Sequence, residues 1–148
     1  MFDKIVVAID GSILSQKALD AAIELGKGRS ASLSLLHVVK EIVIPPYVMG
    51  EMAFITREYD EDFTAALRKE GEELLDIAKE RVHKAGLTAE AHVITGDPAS
   101  VILDFSKENH MQLIVMGSRG LGTFKEMMLG SVSHRVSQVS ECPVLIVK

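Results

Sequence analysis

The sequence predicts a doubly wound α/β domain, a five-stranded parallel sheet in strand order 3-2-1-4-5 with helices on both faces. Two observations carry this. Short apolar runs rich in β-branched residues recur along the chain, as expected of strands buried on both faces. Segments of helical spacing separate them, so strand and helix alternate from one end to the other. Strict alternation implies a parallel sheet with right-handed crossovers. The order follows if strands 1 to 3 wind one way and strands 4 and 5 the other.

Lys4–Ile9 is the first such run, punctuated by Asp10-Gly11-Ser12. A helix follows to about Leu25, with Leu14, Ala18, Leu19, Ala22 and Ile23 at helical spacing and Gly26 and Gly28 closing it. Leu33–Val39 is the second strand. Residues 40–58 are unusual: Pro45-Pro46 stops regular structure, yet the segment is rich in Ile, Val, Met and aromatic residues. It reads as a lid, a second interface or local packing. A helix from about Tyr59 to Ala85 places Phe63, Leu67, Leu74, Ile77, Ala78 and Val82 along one face, with Gly86 as its cap. Ala89–Thr95 is the third strand. Asp97-Pro98 signals a helix start and opens a helix to about Asn109. Leu113–Met116 is the fourth strand, followed by a glycine-containing connection, a helix over about Gly130–Ser140 and the last strand, Val144–Val147.

The 148 residues form a single domain, 1–148, with no repeat or linker. Such a length buries enough surface to fold without disulfides, and the one cysteine, Cys142, fits a reducing compartment. A net charge of −5 and 5% aromatic residues exclude a basic or base-stacking surface, so no nucleic-acid partner is expected. No apolar stretch approaches the ~18 residues of a membrane span. The first residues lead directly into a strand with no charged leader, so no signal peptide and a cytoplasmic location are expected.

In a doubly wound sheet, ligands bind beyond the carboxyl ends of the strands, where the order reverses. Here that point lies between strands 1 and 4, so the loops opening at Asp10 and Gly117 should face each other. The second loop reads Gly117-Ser118-Arg119-Gly120-Leu121-Gly122-Thr123, and the next helix opens at Gly130-Ser131-Val132-Ser133. Glycines at 117, 120 and 122 suit positive φ and close approach of a ligand to the main chain. Successive amides in such a turn, with those of a helix start, form an anion-binding concavity. Ser131 and Ser133 offer hydroxyls and Arg119 a cation. The loop is neither a Walker P-loop nor a dinucleotide fingerprint: Thr123 follows Gly122 where a lysine is required, and Lys125 occupies the third-glycine position. On composition alone, plain turn chemistry explains these glycines as well as a phosphate site does.

The spacing Gly117-x2-Gly120-x9-Gly130-Ser131 resembles the G-2x-G-9x-G-(S/T) pattern of the universal stress protein family, in its ATP-binding branch. The resemblance runs through Ala8-Ile9-Asp10-Gly11-Ser12, Leu36-His37-Val38, Gly96-Asp97-Pro98, Ile114–Gly120, Leu129–Ser133 and Cys142–Val147. It implies adenine and ribose near Ala8, Asp10 and Val38, with Met116 nearby. The triphosphate would lie over Gly117 to Thr123, with Gly130, Ser131, Val132 and Ser133 holding its distal end and Mg²⁺ or Mn²⁺ accompanying it. Ala8 departs from the proline of some relatives, but both are small and apolar. The resemblance also implies a homodimer, for which the apolar edge strand 144–147 is suited.

Plainer roles stand beside these. Asp10 suits a turn or helix cap as well as a ribose. His37 reads as a satisfied core residue, Met127-Met128 as core or lid packing, and Cys142 as a small buried hydrophobe. The remaining histidines lack metal-ligand spacing, and no serine lies in a nucleophile elbow. No catalytic residue is assigned. A dimeric ATP-binding stress or signalling module is the expectation, with at most slow hydrolysis for want of a positioned base or arginine finger. The alternatives are a nucleotide hydrolase or transferase using Asp10 or Arg119, and a nucleotide-free interaction protein of the same fold.

Overall fold

The computed structural model describes residues 1–41, 53–120 and 129–148, with residues 53–60 as backbone alone. The elements are β1 (Lys4–Ala8), α1 (Ile13–Gly26), β2 (Ser32–Lys40), α2 (Ala53–Lys84), β3 (Thr88–Gly96), α3 (Pro98–Glu108), β4 (Leu113–Gly117), α4 (Ser131–Val139) and β5 (Val144–Val147). The five strands form one sheet in the order β3-β2-β1-β4-β5. Every pairing is parallel, with Val6 opposite Ser34 on β2 and Ile114 on β4. No described helix is long and apolar enough to cross a membrane.

Side chains alternate across a strand, and this divides the core into two layers. Ile5, Val7, Leu33, Leu35 and Val115 meet α1 and α2, whereas Val6, Leu36, Ile114 and Met116 meet α3 and α4. Val6, Val7, Leu35, Ile114 and Val115 are fully buried, so the central strands are apolar on both faces apart from the buried Ser34. Burial on that scale contributes roughly 1.5–3 kcal/mol for each large aliphatic side chain.

The helix starts follow local chemistry. Ser12 caps α1, its Oγ accepting from the Ser15 amide at 3.1 Å. Asp97 caps α3, accepting from the Ser100 amide at 3.0 Å, with Pro98 in the first turn as the sequence predicts. Ser100's amide and hydroxyl hold the Asp97 carboxyl below its ordinary pKa, with Arg135 adding an ion pair at 3.3 Å.

Helix α2 corrects the sequence reading twice. It begins at Ala53, not near Tyr59, so residues 53–58 of the unusual segment are helical; residues 42–52 lie outside the described residues. Its buried stripe passes through Gly71, Leu75, Ala78 and Val82, leaving Phe63 and Ile77 53% and 63% exposed. Gly71 decides this rotation. A Cβ there would sit 2.4 Å from Cδ2 of His37, so the helix approaches β2 over the imidazole at the one residue without a side chain. The ring is itself fixed, its Nδ1–H donating to the Ile9 carbonyl at 2.7 Å. His37 is therefore a satisfied packing residue.

Gly71→Ala should thus destabilise the protein by about 1–2 kcal/mol through overpacking, despite alanine's better helix propensity. Urea denaturation checks this. A gain in stability would show that the ring yields freely.

Candidate functional site

The order reversal lies between β1 and β4, and the loops following these strands do face each other. A Cβ on Gly120 would fall 2.6 Å from Asp10 Oδ2, so the main chain of one loop lies against the carboxylate of the other. Asp10 Oδ1 accepts from the Ser12 amide at 2.9 Å, which is the turn role; Oδ2 is turned to the Gly120 loop. A Cβ on Gly117 would lie 2.8 Å from Leu14 Cβ and 3.0 Å from its backbone carbon, which lets α1 close over the end of β4.

These glycines act by lacking a side chain, not by turning the backbone. Among the described residues the positive-φ glycines are Gly11, Gly28, Gly86 and Gly96, so the expectation of positive φ at Gly117 and Gly120 is corrected. Close approach is the constraint at both.

The helix beyond the loop is the polar element of the crevice. Its N-cap is Gly130, at φ −61° and ψ 162°, and no side chain caps it. The Gly130 carbonyl accepts from His134, the first intrahelical bond. That leaves the amides of Ser131, Val132 and Ser133, none of which donates to an acceptor among the described residues. Helices α1 and α3 answer the same need with Ser12 and Asp97. At α4 the N-cap is a glycine, which has no side chain to accept from these amides, so among the described residues the end is uncapped, with the positive pole of the helix behind it.

Not every donor assigned from sequence is available. The Gly130 amide donates to the Ser118 carbonyl at 2.7 Å, and the Ser118 amide to that of Val147 at 2.8 Å. The Ser133 hydroxyl, 2% exposed, donates to the Ser118 carbonyl at 2.7 Å and lies 3.1 Å from that of Gly130. Ser118 itself is buried, Arg119 half-buried, and Gly120 and Ser131 are exposed. The hydroxyl expected of Ser133 is therefore spent internally, and that of Ser131 faces outward. Leu121, Gly122, Thr123 and the Met127-Met128 pair lie outside the described residues.

Ala8, Val38 and Val132 are half-buried and pack on the α3/α4 core layer together with Met116, forming an apolar wall beside the open helix end. Ile94, paired with Val38 in the sheet, belongs to the same wall. The sequence reading omitted it, although it lies in the predicted third strand. Cavities of about 240 and 520 Å³ lie elsewhere, one at the amino ends of β1 to β3 around Lys4, Ser34 and His92, the other beside α2 and β3 around Arg68, Asp76 and Val93. Neither includes a residue of the two loops or of the start of α4, although Ile94 of the wall also lines the second cavity.

If Gly120 and Asp10 oppose each other as described, their substitutions should couple. Gly120→Ala is expected to cost about 1–2 kcal/mol from overpacking, and less than half of that in an Asp10→Ala background. Equal costs in the two backgrounds by urea denaturation would contradict the contact.

The universal stress protein family model matches residues 1–148. The chain is 47% identical over 148 residues to universal stress protein YxiE of Bacillus subtilis, covering 100% of both chains. Among solved structures, protein MJ0577 superposes with a TM-score of 0.86 at 26% identity, over 100% of this chain and 96% of that one. A universal stress protein from Archaeoglobus fulgidus in complex with dAMP gives a TM-score of 0.68 at 25% identity, over 98% and 97% of the two chains. With the family model matched over the whole chain and a relative 47% identical over its full length, this protein belongs to the universal stress protein family.

Proposed function

We propose that the chain binds an adenine nucleotide, ATP, with its phosphates on the uncapped start of α4 and its base and ribose along the wall of Ala8, Val38 and Met116 beside Asp10. The observation that carries this is the open helix end. Three amides with no acceptor among the described residues and a helix dipole favour an anion, and the glycine N-cap supplies no carboxylate or hydroxyl to compete with one. Gly120 and Ser131 are both exposed, the latter at the start of α4. The bound dAMP of the Archaeoglobus relative supports adenine as the base.

A divalent cation, Mg²⁺ or Mn²⁺, suits this arrangement. Among the described residues no group of three or more His, Cys, Asp or Glu could hold a metal unaided. The phosphate oxygens would therefore supply most of its ligands, with Asp10 Oδ2 as the carboxylate oxygen turned to the loop. The cation would offset the repulsion between that carboxylate and the phosphates. The protein is read as a nucleotide-dependent stress or signalling module with at most slow hydrolysis.

Gly130→Asp tests the reading. The new carboxylate would cap α4 from within, where a Cβ has 3.4 Å to the Ser118 carbonyl and thus ordinary space. The expected result is a nucleotide-free protein stabilised by only about 0.3 kcal/mol, since glycine is itself a tolerated N-cap, that no longer shows a MgATP-induced thermal shift. Wild type should gain about 2.7 kcal/mol at a ligand concentration of 100 Kd. Gly130→Val and Gly120→Val should also abolish binding with the fold kept. An Asp variant that binds MgATP as wild type does would refute the helix-end assignment.

We also propose a homodimer through β5. The Pro143 carbonyl just before β5 and that of Val147 accept from the amides of Ile114 and Ser118; by strand alternation the backbone groups of Val144 and Ile146 point away from the sheet. Leu145 packs against the core, so a charge there would disturb the fold as well as an interface. Ile146→Pro removes an outward amide while sparing the β4 ladder; Ile146 also packs on the α3/α4 layer, so thermal unfolding must first show the variant folded. Sedimentation should show the variant as a monomer and the wild type as a dimer. A dimeric variant would count against edge pairing.

A further inference from the structure

Two serines follow Gly130, and the structure gives them opposite surroundings. Ser131 is exposed at the helix start, whereas Ser133 is buried. A hydroxyl has one proton, and the 2.7 Å distance from Ser133 Oγ to the Ser118 carbonyl directs it there. That carbonyl also accepts from the Gly130 amide at 2.7 Å. The Ser118 amide is held in turn by Val147 of β5 at 2.8 Å. Ser118 is 6% exposed, so these bonds lie out of water, where a lost partner is costly. One residue at the end of β4 is thus tied to the last strand, to the N-cap of α4 and to its first turn.

These bonds fix the two ends of the connection between Ser118 and Gly130. They also fix where the amides of Ser131, Val132 and Ser133 stand relative to the Gly120 main chain, the two sides of the phosphate crevice. Holding donors in place before a ligand arrives removes part of the ordering cost of binding. We propose that Ser133, Gly130 and the Ser118 carbonyl form a latch, and that Ser133 is a positioning residue whose hydroxyl sets nucleotide affinity without touching the nucleotide. The affinity part rests on the nucleotide reading above; the latch itself does not.

The test compares full-length wild type with Ser133→Val and Ser133→Thr, which share a shape and differ in the hydroxyl. Ser133→Ala, adding no bulk, serves if either fails to fold. Hydrogen exchange at the Gly130 amide in nucleotide-free protein reads the latch, and calorimetry with MgATP reads affinity. In the Val or Ala variant, Gly130 exchange should accelerate at least about tenfold and Kd weaken roughly tenfold, the scale of one buried hydrogen bond. Thr should restore both. Unchanged Gly130 exchange would overturn the latch. Accelerated exchange with wild-type affinity would overturn the positioning role, and lost affinity with exchange unchanged would make Ser133 a direct ligand instead. A wild type that binds no MgATP would overturn the nucleotide reading and the affinity claim together, with Gly130 exchange still deciding whether the latch exists.

Discussion

Three backbone amides at the start of α4, those of Ser131, Val132 and Ser133, find no acceptor among the described residues, and the N-cap has no side chain to offer one. A helix start of this kind is normally satisfied by its own N-cap side chain, and α1 and α3 in the same molecule do so. Gly130 cannot. Under the nucleotide reading, the cost of leaving these donors without an acceptor falls on the nucleotide-free protein, and a phosphate would recover it. Specific stabilisation of an anion in a chain of net charge −5 must come from such local donors, since the overall field opposes it.

The remainder of the fold holds that end in position. A sheet apolar on both faces aligns β1 and β4 side by side, so the loops leaving them meet at the reversal of strand order. Gly117 lets α1 approach β4, and Gly120 lets the second loop lie against Asp10. Ser118 joins β5 to the first turn of α4. Packing, topology and hydrogen bonding therefore converge on one crevice, with the apolar wall of Ala8, Val38 and Val132 at its side.

Much of this was legible in the residues, and for identifiable reasons. The strands were readable because fully buried parallel strands are continuous apolar runs, and α3 because Asp97-Pro98 combines a cap with a first-turn proline. The facing of Asp10 and the Gly120 loop followed from topology alone. What was not legible depends on contacts distant in sequence. The rotation of α2 is chosen by Gly71 against His37, a residue 34 positions away, and helical spacing alone also admitted Phe63 and Ile77. Glycine carries two different permissions, positive φ and absence of Cβ, and sequence does not separate them; at Gly117 and Gly120 the second is used. Two serines in one motif likewise look equivalent until burial distinguishes Ser131 from Ser133.

The most direct measurement of the central claim is a titration of the ¹⁵N-labelled protein with MgATP, following the backbone amide resonances of Ser131, Val132 and Ser133. The account predicts saturable shifts and slowed exchange at these amides, with smaller effects at the fully buried strand amides of Val7 and Val115. Saturable binding that leaves the three amides unperturbed, or shifts centred on the distant cavity around Lys4 and His92, would contradict it.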